Sequence, residues 1–109
     1  MATKPSFEVL LSDEVSDGMS RARGANARRA LTELLARHGS ISVSLEGVEL
    51  TPSFADECFG RLLLELGEER FRGSLRIHGG SQAVRRLVNQ VLRSRLAELR
   101  GAPPRFGKQ

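Results

Sequence analysis

The sequence predicts an α/β fold, a layered β-α-β-α-β-α chain around a parallel or mixed sheet of three to four strands. Short runs rich in β-forming residues, at 6–11, 41–45 and 74–77, alternate with longer stretches whose apolar residues recur at helical spacing. Glycines and serines punctuate the junctions. The 109 residues suffice for one core and leave no room for a second. We place a single domain over residues 1–100 and a loose, basic tail over residues 101–109, which Pro103 and Pro104 keep from regular structure.

The first strand, SFEVLL, combines Phe7 and Val9, and the acidic stretch 12–18 behind it is turn-like. Ser20 opens the first helix, whose apolar stripe is Ala27, Ala30, Leu31, Leu34 and Leu35. Gly39 stops it after Arg37 and His38, basic residues that suit the carbonyl end. Ile41–Leu45 alternates apolar residues with serine, the period of a strand. Ser53 is the expected N-cap of the second helix, with Asp56 three residues on completing a capping-box-like pattern. That helix carries Ala55, Cys58, Phe59, Leu62, Leu63 and Leu66 on one face and ends at Gly67. A third strand, SLRI, leads through His78-Gly79-Gly80 to Ser81, which caps the last helix. There Val84, Leu87, Val88, Val91, Leu92, Leu96 and Leu99 give the strongest helical periodicity in the chain, and Gly101 stops it.

Composition narrows function. A lone cysteine, Cys58, excludes an internal disulfide and a Cys-rich zinc module. No run of apolar residues approaches a membrane span. Glu8, Asp13, Glu14 and Asp17 make the first twenty residues unlike a signal or transit peptide, so a cytoplasmic protein is expected. No metal or cofactor is expected, since two histidines without a carboxylate cluster build no metal site.

In open α/β sheets, sites gather beyond the carboxyl ends of the strands, at helix N-termini. Two such places are visible, Thr51–Glu57 and His78–Ser81. At the first, a hydroxyl at Ser53 would sit where helix N–H groups tolerate a phosphate. Asp56 and Glu57 suit the positive helix end and are unfavourable neighbours for a phosphate. At the second, two glycines before a helix would serve either as an anion cradle or as a turn needing positive φ. Ser53, His78 and Asp56 lack the nucleophile elbow and oxyanion donors of a hydrolase. Cys58 lies on an apolar stripe and reads as packing.

The stretch ISVSLEGVELTPSFADECFGRLLLELGEERF resembles the bacterial STAS-like domain family of unknown function, related to the STAS domains of sulfate transporters and anti-sigma factor antagonists. The resemblance rests on Gly47-Val48, the Ser-Phe-Ala-Asp-Glu run at 53–57, and Gly67 with Phe71. It extends to Ser20, Arg21 and Gly24 at the first helix and to Arg95-Leu96 in the last, covering roughly residues 6 to 99. It implies a regulatory protein–protein interaction module in signal transduction and not an enzyme. The implied partner is a GHKL-type, histidine-kinase-like ATPase. Ser53 matches the serine that such a kinase phosphorylates in the antagonists. The surrounding Asp-Ser-Ser-Gly context of those proteins is replaced here by Thr51-Pro52-Ser53-Phe54. Thr51, Ser53, Phe54, Asp56, Glu57 and Arg21 would form the docking surface, with Asp56 and Glu57 supplying a constant negative charge.

The net charge is +4, and 15 of the 17 basic residues are arginine. Residues 1–54 hold 6 basic and 7 acidic side chains, whereas residues 85–109 hold seven basic groups against Glu98 alone. Arg86, Arg93 and Arg100, seven residues apart, share a face of the last helix. An alternative role is therefore nucleic-acid binding through that face. Against it, four of the five phenylalanines fit core positions and Phe106 alone is left for base stacking.

Overall fold

A computed structural model of the chain describes residues 7–14 and 20–101. The expected tail, except Gly101, lies outside the described residues, as do Ser6 and most of the acidic turn. The elements are β1 (Phe7–Leu10), α1 (Leu11–Glu14), α2 (Arg21–His38), β2 (Ile41–Ser44), α3 (Pro52–Ala55), a π-helical turn (Asp56–Gly60), α4 (Arg61–Leu66), α5 (Glu68–Ser74), β3 (Leu75–His78) and α6 (Gln82–Leu99). All strand pairs are parallel, in the order β1-β2-β3, with Val9 opposite Val43 and Val43 opposite Ile77.

This order decides the layering. Successive right-handed crossovers that advance in one direction place their helices on the same face of the sheet. That face carries Val9, Ile41, Val43 and Leu75, which join Leu31, Phe54, Phe59, Leu62 and Val88 in one core. The alternate strand positions are Glu8, Leu10, Ser42, Ser44, Arg76 and His78. There His78 Nε2 lies 2.9 Å from Glu8 Oε2, so this pair links the two edge strands across β2. Ser42 and Ser44 are buried despite the alternation in the sequence, because β2 is flanked on both sides.

Ser20 and Ser81 cap α2 and α6 as their positions imply, each accepting a hydrogen bond from the N–H three residues on. The third strand begins one residue later than the sequence suggests, because Ser74 closes α5. Helix α5 itself is new: Gly67 (φ 85°) ends α4, and the chain restarts at once with Glu68 and Glu69 in the first turn. Residues 52–66 form one rod that widens into a π turn where it meets α6. At Gly60 a Cβ would come within 2.6 Å of Asp56 Oδ1 and 3.0 Å of Val91 Cγ1, so glycine is what lets the two helices cross there. Among the described residues, no helix is long and apolar enough to cross a membrane.

Candidate functional site

The carboxyl ends of β2 and β3 lie at one edge of the sheet, where the N-terminus of α2 meets the start of the 52–66 rod. The approach is close. A Cβ at Gly24 would sit 2.8 Å from the Phe54 carbonyl oxygen and 3.0 Å from Glu57 Cβ. Arginines from two other helices converge on the π turn. Arg95 of α6 donates twice to Asp56, through Nε and Nη2, at 2.7 Å each. Arg28 of α2 donates to the Glu57 carboxylate at 3.0 Å and to its carbonyl oxygen at 2.5 Å. Arg21 reaches Glu57 at 3.1 Å and Asp56 at 3.8 Å.

These contacts hold both carboxyls below the usual carboxylate range. For Asp56 the hydrogen bond from Arg95 is the main cause, and for Glu57 that from Arg28, each against the opposing effect of burial. Arg95 is correspondingly raised by its bond to Asp56. Asp56 and Glu57 thus keep their negative charge, and arginine meets it within the chain. Arginines enclose them, and they tie α2, the π turn and α6 together. All three arginines are distant in sequence from the carboxylates they bond, Arg28 by 29, Arg21 by 36 and Arg95 by 39 residues, which hides the pairing from any local pattern.

The cap lies two residues earlier than the sequence pattern implies. Thr51, not Ser53, is the N-cap, its hydroxyl accepting from Phe54 N–H at 3.1 Å, with Pro52 at the first helical position. Ser53 thus stands inside the first turn, half-buried, beside the exposed Pro52. Phe54 points into the core and is wholly buried, so it supports the junction from beneath and is not part of its surface. The correction makes a simple test. Thr51→Ala should cost about 1 kcal/mol of stability, whereas Ser53→Ala should stay within about 0.5 kcal/mol of the parent, both read from urea midpoints.

The glycine pair after β3 serves as a turn. Gly79 and Gly80 have φ of 75° and 82°, and the Gly80 N–H donates to Glu46 Oε2 at 3.1 Å. The carboxylate nearest this cradle is the chain's own, from the loop after β2. His78 is turned to Glu8, and Asp56 to Arg95, so Ser53, His78 and Asp56 do not form a catalytic array. Burial pushes the Cys58 thiol up to about 12, which leaves it unreactive at neutral pH. Among the described residues no cluster of His, Cys, Asp and Glu suits a metal ion.

The α6 arginines of the alternative reading are all exposed. Arg100 is engaged, with Nη2 2.8 Å from Glu68 Oε2, whereas Arg86 and Arg93 have no ion-pair partner among the described residues. The stripe therefore offers fewer free charges than its spacing suggests.

Residues 28–85 match the model of a family described as STAS-like domain of unknown function (DUF4325). The matched span holds Arg28, Thr51–Glu57 and the Gly79-Gly80 turn, and leaves Arg21 and Arg95 outside it. It is narrower than the resemblance over roughly residues 6 to 99. Comparison with curated proteins and with solved structures gave no match.

Proposed function

The chain belongs to the STAS-like domain family of unknown function, and from that membership we propose that it is a regulatory protein–protein interaction module and not an enzyme. Its docking surface is the junction between β2 and α3, with Thr51, Pro52 and Ser53 at the tip and Arg21 on the neighbouring helix end. Its partner is a GHKL-type, histidine-kinase-like ATPase, and Ser53 is the switch. The observation that carries this reading is the release of Ser53 from capping: its hydroxyl stands in the first turn of a rod whose frame is locked by Arg28 and Arg95.

Local electrostatics support a phosphate there. The neighbouring carboxylates, which would repel it if free, are already paired with arginine. The helix start favours added negative charge. Asp56, Glu57 and Phe54 then act as supports of the surface, and Arg21, more than half exposed, is the cation nearest the partner. Incubation with the ATPase and ATP should add the mass of one phosphate, and Ser53→Ala should abolish the adduct. An unmodified mass after full ATP turnover would remove the switch.

A further inference from the structure

A groove of about 550 Å³ separates the free edge of β3 from α6. It exists because α6 leans mainly on α3, the π turn and α4. Its floor is apolar, with Phe71, Ile77, Leu92 and Leu96 among the lining residues. Among the described residues β3 pairs with β2 alone, and Leu45 N–H donates to the His78 carbonyl at 2.8 Å. In a parallel ladder the backbone groups of alternate residues turn to opposite sides, so those of Leu75 and Ile77 face the open edge. The Leu75 N–H is taken by the Phe71 carbonyl, which leaves Ile77 as the residue whose N–H and C=O are set to pair with an added strand.

The rim is positive. Glu68 is shared by Arg72 at 3.1 Å and Arg100 at 2.8 Å, so two cations meet one carboxylate. Arg93, also lining the groove, has no ion-pair partner among the described residues. Two such rims brought together would repel, which disfavours a second copy as occupant and selects for opposite charge.

We propose that the β3–α6 groove binds an extended acidic segment of a partner protein, which adds to β3 as a fourth strand. Its apolar side chains would lie against Phe71, Leu92 and Leu96, and its carboxylates would meet Arg72 and Arg93. Main-chain pairing at a sheet edge supplies affinity, and pockets for alternate side chains supply selection. The site uses none of residues 51–57, so it stands or falls separately from the junction reading.

The test is selection of random short peptides displayed on phage against the full chain, followed by affinity measurement on the enriched sequences. These should alternate apolar and acidic residues. Arg93→Glu should weaken them at least about tenfold, and so should Asn89→Trp, which fills the groove from an exposed position on α6. Both substitutions are on the surface, and an unchanged melting transition establishes that the fold is kept. Three results would each overturn the proposal: no enrichment, enriched peptides without acidic residues, or peptides that bind Asn89→Trp as tightly as the parent.

Discussion

Phe59→Ala is expected to lower the unfolding free energy by about 3–5 kcal/mol. Phe59 lies in the π turn, wholly buried, at the point where the 52–66 rod meets α2 and α6. Truncation removes the ring's transfer free energy and leaves a cavity that three helices cannot readily close. The rod is pinned on one side by Gly24 against Phe54 and on the other by Gly60 against Val91. Domains of this size are stable by about 5–15 kcal/mol in all, so the variant should lose a large share of its stability. Phe59→Leu, which keeps much of the volume, should lose far less. Urea denaturation of the two variants measures the difference, and a loss under about 1 kcal/mol for Phe59→Ala would mean that the π turn is not the centre of the core.

The second large effect belongs to the carboxylates. Glu57→Ala should cost about 1–3 kcal/mol, since it takes from the nearly buried Arg28 guanidinium its nearest carboxylate and leaves it only the residue-57 carbonyl and Glu65 Oε2 at 3.4 Å. The pH dependence follows from the lowered folded-state values of Asp56 and Glu57. As pH falls, the unfolded chain takes up protons on these groups first, near the ordinary carboxyl value of about 4. Their contribution is therefore complete above that pH and is lost progressively as pH drops through it toward the lower folded values. Urea midpoints followed from neutral pH down to about pH 3 should fall steeply in the parent. In the double variant Asp56→Asn, Glu57→Gln they should start lower and fall less. Parallel curves would show that the arginine clamp does not act in the folded state.

What was legible and what was not divides along physical lines. The alternation of strands and helices, the serine caps at Ser20 and Ser81, and the apolar stripe of α6 depend on neighbours within a few residues, and the structure has them, save that Leu99 at the end of the stripe is exposed. The clamp depends on side chains from three separated segments, which only the folded topology brings together. Of the residues that carry the family resemblance, Arg21, Gly24, Asp56, Glu57 and Arg95 meet at this one clamp, and Ser20 caps the helix that brings Arg21 to it. The cap at Thr51 was within reach, because a proline favours the first helical position and so marks the residue before it as the cap. The π turn had no such local sign: Gly60 reads as an ordinary interior glycine until α6 is placed against it.

The proposed docking at the β2–α3 junction is tested most directly by hydrogen–deuterium exchange with and without a histidine-kinase-like ATPase. Saturating ATPase should slow exchange at residues 20–24 and 51–57, and Ser53→Trp should abolish that protection while Arg86→Glu leaves it intact. Protection confined to residues 86–100, or none at saturation, would contradict the junction as the site of docking.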